Sequence, residues 1–409
     1  MNILIVGDSF NGFSGLSNVS SNLLKYCYDK GHNTSYYTVT NKQPNKDCYL
    51  FFGEEFKDCF YDSNIYYYKN DNFDSVISEI KPDVVITIHD AWRIPFIKDC
   101  STRHKFTWIN WCLFETDNYP NEVMHTYKSD PRTNIRQVFE NADLNIAVTK
   151  MGMKALNRYN LQNVHNENIH IGCDMNKICK QPKTKKEVFG NFCKEDDFVF
   201  MSVAKNLERK KLDLVIDAFA LFLENKKDKS KFKFYLHTDI NQFSGGTDLG
   251  VQIASKGLSS NFSLPVSLAQ GKHLATQNLY EKYSACDCYV GLPAAEGFGL
   301  PFLEALLHNK PVIYSDHGGH TEYCDVYGIP VKIDHFYNNI GMYNRQAYAD
   351  IEDAAKAMNE IYEGRLKKVN SFDLLKDKFD WNNVLDNFMS VVEQTVEKNE
   401  DKFRFKRIV

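Results

Sequence analysis

The chain of 409 residues has no uninterrupted apolar run of the roughly 18–20 residues that a membrane-spanning helix requires. Its opening, MNILIV, reads as a strand-length run that meets Gly7 at once, not as a secretory leader. No CxxC pair is present, and the eleven cysteines are odd in number and irregular in spacing. Buried thiols in a reducing compartment fit this better than a disulfide framework. Excess positive charge is also lacking. Lys and Arg number 49 against 53 Asp and Glu, a formal net charge of -4, which argues against a general polyanion binder but not against a local basic patch. No grouping of His, Cys and Asp demands a metal, and Asp287 with Cys288 makes no ligand set. A cytoplasmic protein is expected, with a peripheral membrane contact left open through the basic and aromatic tail FRFKRIV, for which fraying or packing is the simpler reading.

What is present is a rhythm of short apolar strands and helical patterns. Asn2–Val6, His32–Thr38, Val84–Ile88, Lys105–Asn110 and Leu144–Val148 read as strands. Leu16–Tyr28, Phe73–Ile80 and Ile135–Asn141 between them carry helix spacing. From about Met175 to Asp197 the composition turns basic and polar, as in a linker with a short surface helix. The rhythm then restarts with strands at Phe198–Val203, Phe232–His237, Cys288–Val290 and Pro311–Tyr314. Helical patterns cover Leu212–Asn225, Leu279–Ser284, Pro301–Leu307, Ile351–Glu360 and much of Trp381–Lys398. Such alternation predicts an α/β protein with mostly parallel sheets covered on both faces. Two Rossmann-like domains facing each other across a cleft are expected, over 1–175 and 176–380, with 381–409 as a final helix and tail.

Ligands of open α/β sheets sit at strand ends, and four such ends stand out. The first is GDSFNGFSG, Gly7–Gly15, where Gly12 and Gly15 allow close backbone approach. It is not a GxGxxG, and a plain tight loop is an almost equal reading. The second is His89, after VVITI, which can donate to developing negative charge or simply pack. Asp90 beside it can cap a helix or meet a substrate. The third is KNLERKK, whose Lys205, Arg209 and Lys210 can meet a diphosphate; a solvated charge run is the alternative. The fourth is the stretch GLPAAEGFGLPFLEALLHNKPVIYSDHGGHTE, Gly291–Glu322. Gly297 and Gly299 leave backbone open around Phe298 and Leu300, and Pro301 suits the first helical position. Glu304, placed near the first helical turn, can take both ribose hydroxyls, and Glu296 can accept hydrogen bonds from a hexose. Ser315, Gly318 and Gly319 form a second candidate anion nest.

At this point the chain resembles the large retaining GT-B glycosyltransferases of the family 4 type, typified by sucrose-synthase-like enzymes and mannosyltransferases. The pair Glu296 and Glu304 in EGFGLPFLE, with seven residues between, is that family's hallmark, and EALLHNKPVIYSDHGGHTE and LYEKYSACDCYVGLP continue the match. The resemblance covers most of the chain and is strongest in its second half. It implies Glu304 on the donor ribose, Glu296 on the transferred sugar, and Lys205 and Lys210 on the diphosphate. The family's usual Gly-Arg reads Ala204-Lys205 here, so the charge is kept and the bidentate fork lost. By the same resemblance His89 is the active-site histidine and Gly15 belongs to the loop near the donor phosphates. Ile169–Asp174 closes the first domain, and KFDWNNVLDNF is the final helix that crosses back to it.

The implied reaction moves a hexose from a nucleotide-sugar, UDP- or GDP-linked, to an acceptor hydroxyl with retention. It needs no metal or other cofactor, since basic residues and the backbone near Gly318 and Gly319 stabilise the leaving diphosphate. A phosphorylase, an epimerase and a non-catalytic nucleotide-sugar or glycan-binding protein stay open as alternatives. The acceptor is not legible, and neither is the oligomeric state. WINWCLFETDNYP, Trp108–Pro120, is a candidate acceptor wall, with core packing the stronger reading of its aromatics. No stable nucleic-acid complex is expected, although a modified base stays among the candidate acceptors.

Overall fold

A computed structural model describes residues 1–8, 14–39, 56, 59–62, 72–124, 132–178, 183–240, 246–265, 276–339 and 344–406. Gly12 and the last three tail residues, part of the readings above, lie outside them. The chain divides into two compact units. One comprises Met1–Gly172, Asn339–Asn344 and Trp381–Val409, the other Cys173–Asn338 and Arg345–Asp380.

In the first unit a parallel sheet is built from β1 (Asn2–Gly7), β2 (Asn33–Thr38), β3 (Phe60–Asp62), β4 (Val84–Thr87), β5 (Thr107–Cys112) and β8 (Leu144–Ala147), in the order β3-β2-β1-β4-β5-β8. Between β5 and β8 lies a small antiparallel pair, β6 (Glu122–Met124) and β7 (Arg132–Asn134). The second unit repeats the plan with β9 (Phe198–Val203), β10 (Phe232–His237), β11 (Phe262–Ser263), β12 (Cys288–Gly291), β13 (Val312–Ser315) and β14 (Gly328–Val331), ordered β11-β10-β9-β12-β13-β14. Counted within each unit, both orders are 3-2-1-4-5-6, the winding of a Rossmann sheet. Most of these strands are buried along nearly their whole length because both their faces are covered. Val84–Thr87 is buried throughout, and Phe200, Phe234, Val290 and Ile313 are fully buried in one cluster with Val215, Phe219 and Phe222 from helix α6 (Leu212–Glu224).

This topology has a consequence for function. Strand order reverses between β1 and β4 in the first unit and between β9 and β12 in the second. The crevice outside the carboxyl ends of the two strands flanking each reversal is where such sheets bind ligands. Gly15 and His89 follow β1 and β4. Lys205 and Lys210 follow β9, and Glu296 and Glu304 follow β12.

The long last helix, α13 (Trp381–Lys406), belongs to the first unit. Phe388 stacks on Trp111 with ring centroids 4.2 Å apart, Asp386 binds Tyr26 and Lys30, and Asn399 donates to the Thr107 hydroxyl at 3.2 Å. The sequence reading of Lys378–Phe388 as one helix is corrected here. Lys378 and Phe379 end a separate helix, α12 (Ser371–Phe379), and Asp380 is extended, with Cys173 N–H donating to the Phe379 carbonyl at 2.7 Å. For Trp108–Pro120 core packing is the stronger reading, and its two tryptophans bear it out. Trp108 and Trp111 are fully buried, and their indole N–H groups donate to Thr87 and to the Ile169 carbonyl, so these rings are core. Eight of the described cysteines are buried thiols, Cys286 and Cys288 among them. No helix among the described residues is long and apolar enough to cross a membrane.

Candidate functional site

The second unit gathers most of the candidate residues at one strand-end crevice. The chain leaves β9 through Ala204 and Lys205, passes a single 3-10 turn at Glu208–Lys210, and enters α6 through Lys211. Lys205 is exposed to solvent. From the neighbouring strand the loop Leu292–Gly299 leads into α9 (Leu300–Leu307), with Pro301 in its first turn. Helix α9 starts at Leu300, so Glu304, its fifth residue, stands next to the first turn. Gly299 is left-handed with φ of 87°, and a Cβ there would come within 2.9 Å of the Phe302 ring and His320 Cβ. Only glycine fits that junction.

The loop is tied down at consecutive residues. The Ser315 hydroxyl donates to the Pro293 carbonyl at 2.8 Å, and Ala294 N–H to the Arg209 carbonyl at 2.8 Å. Arg209 reaches the Ala295 carbonyl at 3.3 Å, and Gly319 N–H donates to the Glu296 carbonyl at 2.8 Å. The Tyr323 hydroxyl, fully buried, sits at 2.7 and 2.8 Å from the carbonyls of Phe298 and Gly299. Such pinning holds a site in geometry before any ligand arrives. It also uses groups that looked open in sequence. Ser315 and the Gly319 N–H are spoken for, and the Phe298 ring is packed on Tyr323 and Phe379. What Phe298 offers a ligand is backbone. Gly318, buried at φ of 124°, keeps this turn only as glycine, since a Cβ would lie 3.0 Å from the Glu296 carbonyl oxygen and from the His320 ring.

The two glutamates occupy opposite electrostatic settings. Glu296 is ion-paired with Lys210, both side chains being mostly buried. Burial pushes its carboxyl upward, but Lys210, then Arg209, outweigh burial and hold it below the usual carboxylate range. Glu304, by contrast, faces phenols. The Tyr280 hydroxyl, from helix α8 (Thr276–Ala285), lies 3.4 Å from its Oε1, and Tyr283 is buried beside it. Desolvation pushes Glu304 up to about 7, with Tyr283 and Tyr280 offsetting only part of the rise. One carboxylate is thus ionised and neutralised in place, while the other is poised near neutral pH to gain from hydroxyl donors.

His320 was not singled out in sequence. It is fully buried, stacked on Phe302 at 4.4 Å between centroids, with Nε2 3.0 Å from the Ser315 carbonyl. That contact assigns the proton to Nε2, and burial holds the ring neutral, with its pKa lowered to about 4. Tyr280, Tyr283 and Tyr323 were also missed as supports, because their partners are 20 or more residues away and no local pattern marks them.

In the first unit, Gly15 is the first residue of helix α1 (Gly15–Asp29). Ser14 caps that helix by accepting from Ser17 N–H at 3.0 Å and donates to Asp8 at 2.7 Å. His89, 5% exposed, lines a small cavity with Asp90, Asn110, Tyr119 and Phe139. Asp90 N–H donates to His89 Nδ1 at 2.7 Å, so the proton sits on Nε2, which is buried without a partner among the described residues. Burial lowers the His89 pKa to about 4, against a pull upward from Asp8. The ring is a neutral donor with an unused N–H. No cluster of three His, Cys, Asp or Glu side chains suited to a metal occurs among the described residues.

Residues 183–372 match the family model of the glycosyl transferases group 1. An α-1,3/1,6-mannosyltransferase of Dictyostelium discoideum is 24% identical over 222 residues, covering 49% of this chain and 46% of the relative. A mannosylfructose-phosphate synthase of Agrobacterium fabrum is 23% identical over 188 residues, covering 44% and 39%. The chain thus spans less than half the length of these curated relatives. Among solved structures, Anabaena HepE in complex with UDP superposes with a TM-score of 0.71 at 15% identity, over 96% of this chain and 100% of that one. The chain has the GT-B fold of two Rossmann-like units and a long last helix, and through residues 183–372 it is related to the glycosyl transferases group 1.

Proposed function

We propose that this protein is a retaining glycosyltransferase that moves a hexose from a nucleotide-sugar to an acceptor hydroxyl. The observation that carries this reading is the crevice at the β9/β12 reversal. There a Lys210–Glu296 ion pair and a phenol-lined Glu304 stand on two neighbouring strand ends, within the segment related to the group 1 transferases. Glu304 takes the ribose hydroxyls. Glu296 accepts from the hydroxyls of the transferred hexose. Lys210 and the exposed Lys205 meet the diphosphate, with backbone near Gly318 beside it. On donor binding Lys210 is shared between Glu296 and the leaving phosphate, where its charge lowers the barrier to departure. His89 supplies a neutral N–H donor and Gly15 a close backbone approach in the first unit. A UDP-sugar is the first donor to test, because the similar HepE structure holds UDP.

No covalent nucleophile is assigned. The departing phosphate oxygen takes the acceptor proton on the face from which it leaves, which gives retention. Mass spectrometry of the protein during turnover checks this step. No glycosyl adduct on a carboxylate is expected, and a trapped adduct on Glu296 would defeat it.

Glu304 adds a pH signature. Its pKa is raised to about 7, above the roughly 4.3 of an unperturbed glutamate, so the native chain holds the proton more tightly than the unfolded one. Its contribution to folding stability therefore falls as pH rises from about 4.3 to about 7 and is level above that window. Donor binding needs the ionised form and gains over the same rise. Affinity for a nucleotide-sugar, whose diphosphate diester does not titrate there, is expected to strengthen about tenfold between pH 5 and 6 and to level off above about 7. Glu304→Gln is expected to flatten that profile. Isothermal titration at constant ionic strength checks both, and a flat wild-type profile would remove Glu304 from the ribose.

A further inference from the structure

Lys211 follows the diphosphate-facing Lys210 and has a left-handed backbone, with φ of 48° and ψ of 44°, at the N-cap of α6. Glycine adopts that conformation without steric cost and lysine does not, and no side-chain hydrogen bond caps the helix there. A lysine kept at such a point has a compensating contact. Its ammonium lies 5.2 Å from the ring centre of Tyr337 and 5.7 Å from that of Tyr348. Both tyrosines come from an antiparallel hairpin, β15 (Ile333–Asn338) and β16 (Arg345–Ala349), that follows the last strand of the Rossmann sheet. Tyr337 is itself held, its hydroxyl donating to Gln346 Oε1 at 3.0 Å.

The same hairpin grips the other half of the site. Ala347 N–H, on β16, donates to the Ala294 carbonyl at 2.8 Å, two residues before Glu296. Ala294 N–H in turn donates to the Arg209 carbonyl at 2.8 Å, one residue before Lys210. Hairpin, glutamate loop and lysine turn thus form a closed circuit, which Lys210 and Glu296 bridge with their own ion pair.

We propose that the β15–β16 hairpin is a positioning device for the donor diphosphate, and that Lys211, clasped by Tyr337 and Tyr348, is the positioning residue through which it fixes Lys210. The inference rests on the functional reading above. Lys211 acts through Lys210 and touches no substrate. Its side chain trades a strained backbone for a turn that cannot drift, and a displacement of about 1 Å in a phosphate-binding cation is enough to lose much of its effect.

The test is titration of the wild type and variants with UDP and GDP, with thermal unfolding measured in parallel. Lys211→Gly relieves the left-handed residue, so its melting temperature is expected to hold or rise while nucleotide affinity falls about tenfold. Lys211→Arg, which keeps the cation on the rings, is expected to stay within about twofold of wild type. Tyr337→Leu with Tyr348→Leu leaves the ammonium in place and is expected to lose affinity by a factor similar to Lys211→Gly. In a Lys210→Met background, Lys211→Gly is expected to change affinity by less than about twofold, since the group it positions is gone. Wild-type affinity in Lys211→Gly would overturn the proposal. So would an equal loss in the Lys210→Met background, which would mean that Lys211 acts by its own charge. A wild-type protein that binds neither nucleotide would instead defeat the functional reading, and this inference with it.

Discussion

Lys210→Met is expected to lower the rate of sugar transfer by about 10²–10³, mostly in kcat, because the lost cation matters most when negative charge has built up on the leaving phosphate. The same substitution strands Glu296. That carboxylate is mostly buried and owes its ionisation chiefly to Lys210, so without the lysine desolvation drives it upward. Breaking a buried pair from one side costs about 3–5 kcal/mol, and the partial exposure of both side chains places this case at the lower end. The double variant Lys210→Met with Glu296→Gln removes the stranded charge and is expected to recover much of that stability but none of the transfer rate. Thermal unfolding and initial-rate kinetics on the four proteins of the cycle separate the two effects. A Lys210→Met enzyme within threefold of the wild-type kcat would remove this lysine from the chemistry.

The second large effect belongs to Glu304 and has the opposite kinetic signature. A carboxylate that accepts from two ribose hydroxyls does so equally before and during transfer. Its loss therefore weakens donor binding and leaves kcat nearly unchanged. With about 1.5–3 kcal/mol for each of the two hydrogen bonds to a charged group, Glu304→Ala is expected to raise the donor dissociation constant by about 10²–10⁴. The 2′-deoxy and 3′-deoxy forms of the donor sharpen the test. Each is expected to bind the wild type more weakly than the parent, and the variant no worse than the parent does. Unchanged discrimination in Glu304→Ala would place the ribose elsewhere. Glu304 is also costly to the unliganded chain, since it holds a proton up to about 7 against phenols and not against a cation. A stability penalty kept at a site of this kind is what binding function produces.

The buried strands were the most legible part of the fold. Phe198–Val203 and Phe232–His237 appear with the bounds read from the sequence, because each is a short, mainly apolar segment rich in aromatic and β-branched residues that is set off by polar, charged flanks. The last helices were less legible. The apolar spacing runs on through Phe379 and Trp381, and only the pairing of Asp380 with Cys173, some 200 residues earlier, breaks the chain there. The hairpin that holds Lys211 left no periodic signal, since β15 is largely exposed and its contacts are with a turn more than 120 residues away.

Around the candidate site, sequence located the groups that carry charge and missed those that hold them. Glu296, Glu304 and Lys210 stand out by type and spacing near glycines. His320, Tyr280, Tyr323 and Lys211 do not, because what makes them matter is a neighbour supplied by the fold. A buried histidine with one ring nitrogen on the Ser315 carbonyl, or a tyrosine closing over two carbonyls, is in sequence only a histidine or a tyrosine. The first domain was legible only as pairs of alternatives. Its tryptophans are core, the stronger of their two readings, while His89, for which packing and donation were equal readings, holds a buried N–H with no partner among the described residues.

The central claim is that this chain holds a nucleotide-sugar and releases the sugar with its anomeric configuration kept. The direct test is proton NMR of UDP-, GDP-, ADP- and TDP-sugars incubated with the protein, read early enough to catch the anomer first formed by slow transfer to water. Selective turnover of one donor, with an α-donor giving the α-sugar first, is the expected result. First release of the β-sugar, or no binding of any donor, would contradict it.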